Sequence, residues 1–357
     1  MKFNAWKSLV SIALIGGAFA PATVRAGNVP PPAWPLYVGD RSTYGVTNAS
    51  IQGDVPIFNS SGTQTGNLND TSSSTGLGSA EGMAVDANYL YAAGAFGTIN
   101  VVDKVTGASH LEIQTQIYGQ DQAQCIGLTL ANGNIYVVTY GATTGYSIER
   151  YDAATGSFLS SVVGGTTTTF FGLAATADGH IIADFGKTKG TDGVYQYNSD
   201  LSAKTTLVAP GAGTSGGRFA GVSTDVNTGN FFVSETLGAG TGPSVVHEYD
   251  ASGNNIGNFT FTNNQWFTAV GPDGNLYAAF IDDNRIDKIT LNSGVLDGNS
   301  VDSTFIKPAG TYPKSLVFDI SSNVTPPPST VPEPSTMITL FSGIVGLVGY
   351  RRFLGKK

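Results

Sequence analysis

The chain has 357 residues and a formal net charge of −8, and only 12% of its residues are charged. Its single cysteine, Cys125, excludes an internal disulfide. Setting aside the seven Lys and Arg of the two ends and Glu333 leaves 11 basic and 25 acidic residues between Gly27 and Val331, a net charge of about −14. With no basic stripe interleaved with aromatics, such a body is unsuited to nucleic acid.

At the N-terminus, Lys2 and Lys7 precede an apolar run over 9–20, and small residues then lead to Val24-Arg25-Ala26. The run is shorter than the roughly 20 residues of a spanning helix. This order predicts a secretory signal peptide over 1–26, with a short signal helix and cleavage after Ala26. A linker over 27–35 follows.

From 36 to 320 the chain repeats itself. Five segments share one layout: EGMAVDANYLYAAGAFGTINVVDKVTG, IGLTLANGNIYVVTYGATTGYSIERYDAATG, FGLAATADGHIIADFGKTKGTDGVYQYNSD, AGVSTDVNTGNFFVSETLGAGTGPSVVHEYDASG and TAVGPDGNLYAAFIDDNRIDKITLNSG. The small residues opening them, Gly82, Gly127, Gly172, Gly221 and Ala269, lie 45, 45, 49 and 48 residues apart. Each unit reads as four short strands. β-Branched and aromatic runs are bounded by turn residues, with Asn132-Gly133 and Asp273-Gly274 suited to tight hairpins. Four strands in about 45 residues is the pattern of a β-propeller blade. A sixth unit is split. KSLVFDI (314–320) reads as a first strand with no second strand after it, while LYVGD (36–40) and VPIFNSSG (55–62) match second and third strands. Pairing them closes the ring from both termini and gives an all-β, six-bladed propeller without open edges. The count rests on that closure; without it five or seven blades remain open.

In GMAVDANYLYAAG, GPDGNLYAAF with NRIDKI, and GLAATADGHIIADF, the body resembles the NHL and gluconolactonase-like six-bladed propellers. That resemblance implies a divalent metal at one channel mouth, held by a Glu and polar residues just before several first strands. The equivalent positions here are Glu81, Ile126, Phe171, Ala220, Thr268 and Lys314. Only Glu81 keeps the ligand type, whereas a hard divalent ion takes about six oxygens. Glu81 is therefore the single candidate metal ligand, no cofactor is expected, and no catalytic residue is assigned. An apolar, glycine-lined channel would favour binding or a structural role; a polar cluster around Glu81 would favour a hydrolase.

Other groups carry weaker signals. His110, His180 and His247 show no metal spacing. Asp282-Asp283-Asn284 reads as a solvated hairpin turn, since a Ca²⁺ loop needs further carboxylates. Asp184 and Ser234-Glu235 end second strands, where loops line one face. Phe170, Phe171, Phe219, Trp266 and Phe267 recur just before first strands, either as core aromatics or as stacking groups at the channel mouth. Cys125, within CIGLTL, reads as a small core residue.

A Pro-rich linker, assigned to 321–331, leads to the end of the chain. There, VPEPS precedes an apolar stretch over 337–350 and the basic residues Arg351, Arg352, Lys356 and Lys357. Fourteen apolar residues form a helix of only about 21 Å, short of the ~30 Å hydrocarbon core. Segment 332–357 resembles the PEP-CTERM sorting domain of Gram-negative bacteria. The resemblance implies that Pro332, Glu333, Pro334 and Ser335 form a motif read by an exosortase-like enzyme. It also implies that 337–350 crosses the inner membrane transiently as a short helix, and that Arg351 and Arg352 fix orientation. It places the protein at the cell surface or outside, in the context of exopolysaccharide and biofilm. The expectation is an exported, non-enzymatic binding or matrix-associated propeller, with an exopolysaccharide or another matrix component as partner; the alternative is an extracellular gluconolactonase-like hydrolase.

Overall fold

A computed structural model describes residues 34–40, 54–69, 77, 80–94, 96–165, 169–186, 191–213, 217–237, 242–292, 294–296, 301–306 and 313–319. The expected signal helix, the C-terminal helix, Pro332, Glu333, Pro334, Ser335, Arg351 and Arg352 lie outside them.

Every regular element among the described residues is a β-strand. The chain begins with β1 (Leu36–Asp40), β2 (Asp54–Phe58) and β3 (Gln64–Asn69). Blade 1 is β4 (Gly82–Val85), β5 (Tyr89–Ala93), β6 (Thr98–Asp103) and β7 (Ser109–Gln114). Blade 2 is β8 (Gln124–Ala131), β9 (Asn134–Gly141), β10 (Gly145–Asp152) and β11 (Phe158–Gly165). Blade 3 is β12 (Phe170–Ala175), β13 (Ile181–Phe185), β14 (Gly193–Tyr197) and β15 (Lys204–Val208). Blade 4 is β16 (Gly217–Thr224), β17 (Phe231–Leu237), β18 (Ser244–Tyr249) and β19 (Asn255–Phe261). Blade 5 is β20 (Phe267–Val270), β21 (Leu276–Phe280), β22 (Arg285–Ile289) and β23 (Val301–Ile306). The last strand is β24 (Pro313–Phe318).

Each blade is a four-stranded antiparallel sheet in chain order, and blade 6 has the order β24-β1-β2-β3. Its seam pairs Leu36 with Phe318, Tyr37 with Val317, Val38 with Leu316 and Gly39 with Ser315. The termini therefore close the ring, and the fold is a six-bladed β-propeller. The polar β3 completes blade 6 as its outermost strand.

Local sequence accounts for the turns. The β8–β9 hairpin closes on Asn132 (φ 51°) and Gly133 (φ 72°), between the paired Ala131 and Asn134. Both central residues have positive φ, the requirement of a type I′ hairpin turn. Between third and fourth strands an Asp or Asn carboxyl or amide oxygen gathers the turn amides. Asp103 accepts from the Val105 and Thr106 N–H groups, and Asp152 accepts from Ala154 and Thr155.

The core lies between blades. One apolar layer joins Tyr91, Ile99 and Val101 of blade 1 to Cys125, Leu128 and Ile135 of blade 2, and similar layers follow around the ring. The recurring glycines have a steric cause. A Cβ on Gly82 would lie 2.6 Å from the Leu128 nitrogen, and one on Gly127 would lie 2.5 Å from the Phe171 oxygen. On Gly172 it would lie 2.4 Å from the Val222 nitrogen, and on Gly221 2.8 Å from the Trp266 oxygen. Four of the six first strands thus press a glycine onto the backbone of the next strand or the residue before it, whereas β20 and β24 carry Ala269 and Ser315 there.

Candidate functional site

The six first strands enclose a cavity of about 510 Å³, lined by side chains such as Met83, Leu128, Leu173, Val222 and Leu316 and by the glycine backbone. Polar groups within it are mostly engaged with one another: Ser223 and Thr268 hydroxyls are 2.8 Å apart, and Thr224 Oγ1 donates to the Ala175 carbonyl at 2.7 Å.

Glu81 sits at the mouth of this channel, just before β4, and its carboxylate is ion-paired with Lys314 of β24. Both side chains are buried, at 4% and 6% exposure. These are equivalent positions on neighbouring blades, so a single ion pair bridges blades 6 and 1. Of the other positions in the ring, Ile126 and Ala220 are buried apolar groups. The set does not fit the six oxygens of a hard divalent cation. Among the described residues no group of three His, Cys, Asp or Glu is placed to hold a metal ion.

The strand ends singled out in the sequence, Asp184 of blade 3 and Glu235 of blade 4, each interact electrostatically with Asp192. Asp184 is fully buried at the end of β13 and accepts the Phe171 and Gly172 N–H groups at 3.2 and 2.5 Å; its Oδ2 has no partner. Burial, opposed by those amides and reinforced by the charge of Asp192, pushes its carboxyl up to about 7. Asp192 precedes β14 and accepts the Phe219 N–H of the next blade. Burial and then the Glu235 charge push it up to about 6, against the pull of Arg218. Glu235 Oε2 in turn meets His247 Nε2 at 2.7 Å, with Glu235 0% and His247 6% exposed. Sequence reading noticed both of these residues without joining them. The register that faces Val233 with His247 places the imidazole one strand from the carboxylate. Ser234 accepts a hydrogen bond from Gln265 Nε2 at 3.0 Å.

The remaining candidates are structural. Asp283 accepts from Arg285 and from Asn263, both at 2.5 Å, and Arg285 also reaches Asp287 at 2.8 Å. The acidic hairpin is thus neutralised by its own arginine. His110 stacks on Tyr89 at 4.1 Å, and His180 lies 3.0 Å from Asp178 on a turn at the opposite face. Cys125 is buried, which pushes its thiol well above the ordinary range. The aromatics before the first strands divide. Phe170, Phe219 and Phe267 are core, whereas Phe171 and Trp266 are half-buried at the channel mouth.

No protein-family model matches the chain, and no curated protein sequence matches it. Among solved structures it is similar to a protein of unknown function from Bacteroides caccae, with 15% identity and a TM-score of 0.44 over 60% of this chain and 73% of that one.

Proposed function

We propose that the chain is an exported, non-enzymatic binding propeller. In this reading it is delivered through the inner membrane, processed at VPEPS by an exosortase-like enzyme and placed at the cell surface. Its partner there is an exopolysaccharide or another matrix component. The observation that carries the reading is the Glu81–Lys314 ion pair: the candidate ligand at the channel mouth is already neutralised, beneath a mostly apolar channel. The tail supports the destination, because a short apolar segment flanked by Arg suits temporary retention.

One observation favours the hydrolase alternative, the Glu235–His247 pair with its 2.7 Å contact. Its burial beside Phe219, itself 0% exposed, shields the pair from a substrate in the channel.

The test combines fractionation with chemistry. A tag near Asn323 and mass spectrometry of the mature C-terminus should show surface protein lacking GKK. Replacing Pro332, Glu333 and Pro334 with Ala should hold full-length protein in the inner membrane. The surface form should show no lactone hydrolysis with Ca²⁺, Zn²⁺ or Mn²⁺. Metal-dependent turnover lost in Glu81→Ala overturns the non-enzymatic reading, and a surface protein still ending in GKK overturns the sorting.

A further inference from the structure

The face that carries the second-to-third-strand hairpins presents a row of half-buried aromatics, three of which (Tyr140, Tyr146 and Phe171) rest on the core between blades 2 and 3. On blade 2, Tyr140 of β9 and Tyr146 of β10 are register partners, with ring centroids 4.7 Å apart. Tyr146 lies 6.1 Å from Phe171 at the start of blade 3. Arg218 of blade 4 then sets its guanidinium 5.6 Å from the Phe171 ring and 5.7 Å from the Trp266 ring that precedes blade 5. All five side chains are half-buried, while Phe170, Phe219 and Phe267 beside them are in the core. The result is a continuous arc of half-exposed aromatic rings across four blades, with one cation set between two of them.

Arg218 is the informative member. Its side chain forms no salt bridge and no hydrogen bond with another described residue, and its Nε is buried without a partner. Asp192 senses its charge without pairing with it. A guanidinium held against aromatic faces by cation–π attraction keeps its planar donor fork available for a carboxylate. The half of each ring that stays exposed forgoes burial energy, so a ligand that covers it gains that energy on binding.

The arc's chemistry narrows the ligand. Aromatic faces are electron-rich and attract the partially positive C–H groups of a sugar ring, and the Tyr hydroxyls donate to and accept from sugar hydroxyls. Successive spacings of 4.7, 6.1, 5.6 and 5.7 Å are of the order of one sugar ring each. A densely charged polyanion is disfavoured by the acidic body, whose net charge is about −14. One cation in a neutral aromatic track fits a mostly neutral chain with sparse carboxylates. We propose that Tyr140, Tyr146, Phe171, Arg218 and Trp266 form a binding track for a saccharide chain, with Arg218 receiving the carboxylate of an occasional uronic acid. This deepens, and rests on, the reading of the protein as a binding propeller.

The test is affinity electrophoresis of the secreted protein in gels containing glucuronoxylan, xanthan or hyaluronan, with carboxyl-reduced glucuronoxylan and neutral dextran for comparison. Retardation by at least one acidic glycan is expected, weaker by about tenfold after carboxyl reduction, the loss of one charge-assisted fork. Arg218→Ala should abolish the difference between native and reduced glycan, and Arg218→Lys should restore it only in part. Trp266→Ala and Tyr146→Ala should weaken binding to both forms by roughly fivefold or more. Unchanged melting temperatures and far-ultraviolet circular dichroism establish that each variant is folded. The proposal fails if no acidic glycan retards the protein, or if folded Arg218→Ala and Trp266→Ala bind as the parent does. A secreted protein or peptide held through Arg218 without any glycan binding also overturns the saccharide assignment, yet leaves the binding-propeller reading standing. Lactone turnover would instead remove that reading itself.

Discussion

Lys314 reaches from β24 to the carboxylate of Glu81 at the start of blade 1, so that a buried ion pair spans one side of the closing blade. Ser315 reinforces the same contact by donating Oγ–H to the Ala80 carbonyl at 2.8 Å. Removing one charge of a buried pair strands the other, at a cost of about 3–5 kcal/mol. Glu81→Gln and Lys314→Met should each lower unfolding stability by that order. The double variant should recover much of the loss, because both charges then leave the low-dielectric site together. Urea titrations of the four proteins measure the coupling; additive losses would show the pair to be energetically independent.

The repeat and its closure were legible because each blade has short apolar strands cut by turn residues, and because LYVGD copies LYAAF. Of the outermost strands, FLSSVV and NFTF were legible and two others were not. QTGNLN and VDSTFI lie at blade edges, where partial exposure removes the alternation that marks a half-buried strand. The site was legible only in pieces. Glu81 and Lys314 stand at equivalent repeat positions with opposite charge, a signal present in the sequence. Which aromatics face the mouth depends on bulges between Phe170 and Leu173 and between Phe219 and Gly221, and a one-residue slip exchanges the faces of a strand. Arg218 gains its meaning from rings on two other blades, a juxtaposition that spacing along the chain does not encode.

The glycines of the first strands make a steric prediction. In Gly172→Ala the new methyl would meet the Val222 nitrogen at 2.4 Å and the Gly221 Cα at 2.7 Å, both backbone atoms unable to swing away. Overpacking of this kind costs about 1–3 kcal/mol. Gly133→Ala, with open space around it but a φ of +72°, should lose only the left-handed penalty of about 1–2 kcal/mol. The two are separated by solving each variant: Gly172→Ala should push blades 3 and 4 apart, and Gly133→Ala should leave the ring unchanged.

Asp184 and Asp192 predict a pH dependence. Their carboxyls are raised to about 7 and about 6 from an ordinary 3.8, so the folded protein binds protons that the unfolded chain has released. Stability from this pair is therefore greatest near pH 4 and falls as pH rises to about 7. Asp184→Asn keeps an oxygen for the Phe171 and Gly172 amides and removes the charge. It should raise the melting temperature at pH 8 by about 2–4 °C and leave it nearly unchanged at pH 4.5. Calorimetry at the two pH values decides; an equal shift at both would show that charge is not the cause.

Closure of the ring rests on more than strand pairing, and Trp34 exposes the difference. It lies ahead of β1, is 1% exposed, and packs edge-on against Phe318 of β24 at 4.8 Å and Tyr277 of blade 5 at 5.9 Å. Next to it the Asp319 N–H donates to the Pro35 carbonyl at 3.0 Å. The indole thus pins the N-terminal segment over the junction of blades 5 and 6. Trp34→Ala would leave a large cavity there, with a loss of about 3–5 kcal/mol. Trp34→Phe should retain most of the contact. In a protein expressed from Gly27 onward the only tryptophans are Trp34 and Trp266, so in a Trp266→Phe background of that protein the indole fluorescence reports this junction alone. If the seam is the first part of the ring to open, that fluorescence will change at lower urea than the far-ultraviolet circular dichroism. Coincident transitions would show instead that the six blades unfold as one cooperative unit.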